Sequence, residues 1–438
     1  MTESAAEEPG PAAPPSAGVR IFRHRDFSLF FAAASVSNGG TWMQLVAVQA
    51  LLFDLTNSGS WLGLSTVVSL VPAVALTPYA GVLADRVSRR AILQITQIVQ
   101  MLSAFALYGL YVSHHVTPWW IIIVGFVNGV AAGFQSSAWQ SFVPLLVPDG
   151  EMMQAVRLNS VQFTLARAIG PALGGIVVNF GGIGAAIMAN AVTYLLVIGC
   201  LVIVRPRTNR TTARSQGVMD GLVSGAKYIW QRRPLRLAVL LALAASTFGQ
   251  ALQYIASALS ERLFHHASNG NAGLLTALGV GALLSSGLTV MMGDRLPRSW
   301  QALGALTLFV VATTMLALAH SYHVDQLAYF LAGIAHLQMA VSLNTLIQGT
   351  VPDEYRGRAM SFYLLGVLGG IPIGTQLLGF LGDVIGFRPT LLLDAGAFGV
   401  LLLTLLVTGL WRDMDATPEQ IATAHVDHRV AVATADLS

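Results

Sequence analysis

Charge is what this chain has least of. Only 10% of its 438 residues are charged, against about 25% in soluble globular proteins. Lysine is almost missing: Lys227 is the one lysine among 24 basic residues. Cysteine is limited to Cys200, which excludes a disulfide framework and a cysteine metal site. In its apolar run Cys200 reads as a small buried side chain. No Walker loop, no His/Glu metal pair and no nucleophile–base pairing is present, so the chain is expected to be no enzyme and to carry no cofactor, catalytic residue or metal. The isoelectric point near 9.2 and formal charge of +3 do not point to nucleic acid, because the basic residues are spread between apolar runs rather than gathered into a patch.

Apolar residues fill the space that charge leaves. They make up 54% of the chain, with mean hydropathy +0.65, more than a soluble fold can hide. Apolar runs near 20 residues long predict twelve spans. They fall at about 27–53, 60–83, 91–113, 117–139, 154–180, 183–204, 236–258, 270–293, 300–320, 325–349, 359–382 and 388–410. Threading them alternately puts 21 basic residues on one side, Arg262 and Arg388 on the other, and Arg167 inside a span. By the positive-inside rule the rich side is cytoplasmic and both termini lie there. The expectation is an all-α, multi-pass protein of the cell (inner) membrane.

The expected division is a disordered tail over 1–26, a six-helix bundle over 27–204, a basic linker over 205–235, a second bundle over 236–410 and a tail over 411–438. The first 19 residues are acidic and Pro/Ala-rich, unlike a cleaved signal. Within the linker, Gly221 to Trp230 is amphipathic enough to lie along headgroups. Landmarks repeat between the bundles. Val147-Pro148-Asp149 returns as Val351-Pro352-Asp353 and Asn190-Ala191 as Asp394-Ala395, both offset by 204. Asp85-Arg86 returns as Asp294-Arg295 and Gly63-Leu64 as Gly273-Leu274 at offsets of 209 and 210. An even number of spans gives the two pseudo-repeats the same orientation.

Polar residues that recur on one helical face mark where a wet chamber would lie. The first span carries Ser35, Asn38, Trp42 and Gln49, and the fourth Asn128, Gln135 and Trp139. The seventh carries Ser246, Gln250, Gln253 and Ser257, and the tenth Gln338, Ser342 and Thr345. Gln94, Gln97 and Gln100 form a comparable face on the third, and interhelical hydrogen bonding is the competing use of all such faces. Arg167 lies roughly 20 Å along its span, where a charge is costly unless paired or hydrated. It anchors an anionic or polar group, holds a gating network, or locks the halves together. Asp394 is the acidic residue clearly within a span, so it leads the proton-carrier candidates, followed by His336 and then Asp54. His336 points away from the Gln338 stripe and reads first as packing. Amides, hydroxyls and indoles around one guanidinium suit a sizeable, mostly neutral organic molecule.

The loop Gly81-Val82-Leu83-Ala84-Asp85-Arg86-Val87-Ser88-Arg89-Arg90 resembles the Gly-x-x-x-Asp-Arg-x-x-Arg-Arg motif of the major facilitator superfamily, matched at Gly81, Asp85, Arg86, Arg89 and Arg90. Asp85 would meet the N-terminal amides of the helix beginning near Arg358, across the halves, as a gating latch. Asp294 and Arg295 form a partial second copy, interrupted by Pro297. Leu158-Asn159-Ser160, Ala166-Arg167, Gly170-Pro171-Ala172-Leu173-Gly174-Gly175 and Val351-Pro352-Asp353-Glu354-Tyr355-Arg356-Gly357-Arg358 are similar to the bacterial branch exporting drugs, macrolides and siderophores, the enterobactin exporter included. The resemblance implies two six-helix halves lining a substrate cavity with the first and fourth helix of each. It also implies efflux driven by a proton gradient, with substrate, protons and lipid as partners and a monomer as the working unit. An importer or facilitator of a metabolite on the same fold remains open, as does a membrane scaffold or receptor.

Overall fold

The computed structural model describes residues 21–207, 218–264, 268–292 and 296–420. Most of the two expected tails, and residues 208–217 of the linker, lie outside the described residues. Residues 21–26 belong to the fold rather than to a tail: Ile21 is fully buried and α1 already begins at Arg25.

Every described element is helical. The first half contains α1 (Arg25–Thr56), α2 (Gly59–Arg86), α3 (Arg89–Val112) and α4 (Pro118–Phe142), then α5 and α6 as residues 152–181 and 183–203. The second half begins with α7, which runs through Arg233–Ala244, a π turn at Ala245–Gln250 and Ala251–Tyr254, breaks at Ile255 and resumes as Ala256–Phe264. Then come α8 (Ser268–Met292), α9 (Arg298–Leu318), α10 (Tyr322–Thr350), α11 (Asp353–Ile385) and α12 (Phe387–Thr408). Nine stretches among the described residues are apolar and long enough to cross a membrane. Helices α1, α5 and α8 complete twelve. Outward faces are greasy: Phe180, Val400 and Val407 are largely exposed, as side chains against acyl chains should be. Trp61 and Trp119 pack edge to face at one end and Trp300 and Trp411 at the other, where interfacial rings belong.

Packing repeats as the sequence does. Helices α5 and α6 are continuous except for Gly182 at φ 78°, and α11 and α12 are separated by Gly386 at φ 89°. These two glycines stand at the 204 offset, and only glycine adopts that backbone without strain. A Cβ at Gly129 of α4 would collide with the Ser69 carbonyl of α2, and one at Gly333 of α10 with the Leu278 carbonyl of α8. The same two helix crossings thus use glycine in each half.

The core shows how the halves meet. At the arginine-rich end each half has its own cluster, one around Phe30, Trp139, Phe142 and Leu201, the other around Leu235, Leu306, Phe309 and Phe398. At the far end one cluster draws on both, with Leu52, Leu62 and Ile187 packed with Leu252, Leu274 and Leu378. The linker helix Val218–Trp230 lies against the second half: Tyr228 stacks on Tyr355 at 4.3 Å and Arg358 Nη1 donates to Ser224 Oγ at 2.9 Å.

Candidate functional site

Helix α11 runs antiparallel to α2, and its C-terminal end reaches the N-terminal end of α2. At the far end, Asp383 of α11 caps α2. Its carboxylate accepts from the amides of Gly59 and Ser60 at 2.8 Å and from the hydroxyls of Ser58 and Ser60 at 2.6 Å. The charge meets the positive pole of α2 and satisfies amides that no helix interior can. Small residues permit the approach: a Cβ at Gly59 would stand 2.9 Å from Gly379 backbone atoms, and one at Gly175 of α5 would meet Ala272 of α8. Arg262 Nη2 adds a bond to the Asn57 carbonyl at 2.7 Å.

Below this seal lies a cavity of about 320 Å3, at the lower end of the range for ligand pockets. It extends from mid-depth into the arginine-rich half, reaching Asn344 on α10 and Tyr363 on α11. Helix α7 contributes Ser246, Gln250 and Gln253, and α5 contributes Leu165 and Arg167. Arg167 Nη2 donates to His336 Nε2 of α10 at 2.6 Å, a bond between the halves, and its guanidinium carbon lies 5.8 Å from the Trp42 ring centre. His336 therefore presents Nε2 as an acceptor; its Nδ1 is buried without a partner.

The sequence-expected residues divide between cavity and helix contacts. Gln250, Gln253 and Arg167 line the cavity, with Trp42 against Arg167. Gln250 Oε1 is buried and unbonded, as is that of Gln135. Asn38 Nδ2 donates to Gln162 Oε1 at 3.2 Å, tying α1 to α5. Gln49 Nε2 reaches Ser65 Oγ at 3.4 Å beside the far-end core. Asn128 accepts from Ser103 Oγ at 2.8 Å, a contact within the first half. The Trp139 indole donates to Asn159 Oδ1 at 3.0 Å while its ring packs on Phe30. On α10 the two faces exchange roles: Gln338 donates to Gln301 and accepts from Ser285, and Ser342 Oγ donates to the Arg298 carbonyl. That stripe grips α8 and α9, so the opposite face carries His336 and Asn344 into the cavity.

Among the proton-carrier candidates, Asp394 is 2% exposed on α12 and both its carboxylate oxygens are buried without a hydrogen bond. Asp54 is exposed at the far end of α1. Asp325, in the first turn of α10, is fully buried with both oxygens unbonded; its place at a span's edge hid it from the sequence. Of the loop motif, Asp294 and Arg295 lie outside the described residues, as do the side chains of Asp85 and Arg86 and the surroundings of Gly81. Arg89 opens α3, and Arg90 Nη2 donates to the Val202 carbonyl of α6 at 2.6 Å. The helix that Asp85 was expected to meet begins at Asp353 rather than near Arg358.

Known proteins share this plan. The sequence profile of the family described as "Transmembrane secretion effector" matches residues 16–434. The chain is 25% identical over 381 residues to the multidrug efflux pump Tap of Mycolicibacterium fortuitum, covering 83% of this chain and 91% of that one. It is 21% identical over 370 residues to the staphyloferrin A transporter of Staphylococcus aureus, covering 82% and 90%. In fold it is similar to a mutant of the nucleoside transporter NupG, with TM-score 0.71 at 13% identity over 88% of this chain and 99% of that one. A bacterial homologue of the lysosomal transporter Spinster, solved inward-facing, gives 0.64 at 14% identity over 94% and 96%. The fold is thus shared with solved transporters, and this chain is a major facilitator superfamily transporter of the efflux branch, in the transmembrane secretion effector family.

Proposed function

We propose that this transporter exports small organic molecules from the cytoplasm by alternating access, in exchange for protons. The observation that carries the reading is the asymmetry between the two ends. The halves share a core and a carboxylate clamp at one end, while the cavity extends toward the other, where their cores are separate. With the arginine-rich end taken as cytoplasmic, this is the shape that accepts cargo from inside. Relatives named for drug efflux support the direction. A protein of this kind works as a monomer in the inner membrane, with both termini in the cytoplasm.

Release outward requires the Asp383 clamp and the glycine contacts of α2 with α11 to part while the arginine-rich ends close. The motif at Gly81, Asp85, Arg86, Arg89 and Arg90, with its partial copy at Asp294 and Arg295, supplies the opposing latch. For the proton, Asp394 leads: an unbonded buried carboxyl is comfortable only when neutral, and its repeat partner Asn190 is bonded to Gln44 and Tyr194. His336 follows, because protonating Nε2 would turn its bond with Arg167 into two opposed donors. Asp54 comes last.

The test is flux in proteoliposomes of the whole chain, paired with compound sensitivity of a deletion strain. Export predicts hypersensitivity to part of the panel, and drug efflux that stops when the imposed pH gradient is collapsed. Unchanged sensitivity together with lost growth on a nutrient would replace export by import.

A further inference from the structure

The cavity holds one permanent charge that no described residue neutralises. Arg167 is ionised at any working pH and sits near the middle of its span. Its contacts are a neutral imidazole nitrogen and an indole face; the phenols of Tyr254 and Tyr363 are its electrostatic neighbours. Among the described residues the ion pairs are His24 with Glu151 and Arg233 with Asp413, both remote from it. The buried acids do not serve either. Asp383 is spent on α2, and Asp394 and Asp325 are absent from the cavity wall.

A guanidinium held at mid-span against a cavity, with no anion beside it, is an incomplete site, and its planar fork matches a carboxylate. Resting on the transporter reading of this cavity, we propose that its cargo is an organic carboxylate whose charged group docks on Arg167. The wall fits the rest of such a molecule. Leu165, Leu278, Ala282, Leu343 and Val367 offer an apolar bed, and Gln250, with its unbonded Oε1, and Asn344 offer neutral hydrogen bonds. One cation suits one carboxylate and not a doubly charged phosphate. His336 has a positioning role, holding the fork in place until the anion arrives.

This narrows the expectation of a mostly neutral cargo: the body is neutral and the head is charged. It also separates two roles for Arg167. A lock between the halves would weaken the empty protein when removed. An anchor would not, because its loss relieves an uncompensated charge.

The experiment uses the full chain in phosphatidylcholine nanodiscs, whose lipids have no net charge. Benzoate, 1-naphthoate and indole-3-acetate are each compared with the matching amide by direct binding and thermal shift. At least one acid should bind about tenfold or more tightly than its amide, the scale of a charge-assisted hydrogen bond. Arg167→Gln should abolish that preference without lowering the melting temperature of the empty protein, and Arg167→Lys should keep part of it. Equal binding of acid and amide, no binding by any acid, or a preference that survives in Arg167→Gln would each overturn the proposal. Should Arg167→Gln fail to fold, the acid–amide comparison on the unaltered chain still decides. Flux keeps the two readings apart. An acid that binds selectively but never crosses the proteoliposome membrane defeats the transport reading alone, and compounds carried without acid preference defeat the carboxylate claim alone.

Discussion

Asp383 and Gly59 belong to different halves, yet the amide of Gly59 donates to Asp383 Oδ1 at 2.8 Å, within a set of four bonds on one carboxylate. Asparagine at this position keeps one acceptor and loses the charge. Asp383→Asn should weaken the seal by about 1–3 kcal/mol, the worth of charge-assisted bonds, and shift the population toward the state open at the far end. The readout is an impermeant maleimide on Leu62→Cys in a Cys200→Ala background: labelling should rise several-fold. Unchanged labelling would mean that the clamp holds nothing shut.

Glycines at two places in α11 should behave differently. A Cβ at Gly374 would strike the Thr247 carbonyl of α7, inside one half, so Gly374→Ala should cost about 1–3 kcal/mol of stability as overpacking does. Gly379 meets Gly59 across the halves. Gly379→Ala should raise far-end labelling while leaving the melting temperature near that of the unaltered protein. Equal thermal losses at both sites would refute the distinction.

Asp394→Asn removes a titratable carboxyl and installs the residue that the first half carries at Asn190. Neutral exchange of substrate should persist while flux driven by a pH gradient falls at least tenfold. The melting temperature should not drop, because an amide is no harder to bury than an unbonded carboxyl. Gradient-driven flux at the ordinary rate would remove Asp394 as the carrier.

His336 can be tested without disturbing Arg167. Glutamine supplies an acceptor for the guanidinium and does not titrate; leucine supplies none. If His336 only positions Arg167, His336→Gln should keep most pH-driven transport and His336→Leu should lose it. Loss in both variants would assign the proton to the imidazole and demote Asp394.

The helices and the likeness of the two halves were legible in the sequence, because apolar length and repeated landmarks are read directly along the chain. Cavity membership was less legible. Gln250 and Arg167 reach the cavity, while Gln338 and Asn128, on equally polar faces, bond to neighbouring helices. A polar stripe says that a helix face meets something polar, and either water or an adjacent helix satisfies it. His336 reads as packing from the sequence because the Gln338 stripe looks like the cavity face, whereas His336 itself lines the cavity. Asp383 reads from the sequence as an acid at the outer interface, and its capping role is hidden there because its partners lie more than 320 residues away.

The π turn at Ala245–Gln250 places one surplus residue in the helix that supplies Ser246, Gln250 and Gln253 to the cavity wall. Such a surplus is not anchored to one spot. Handing it one residue along rotates everything between the old and new positions by about 100°, with each amide merely trading one carbonyl for the next. The second half thereby holds a swivel of its own, able to turn amide side chains toward or away from a passenger while both ends of the helix stay still.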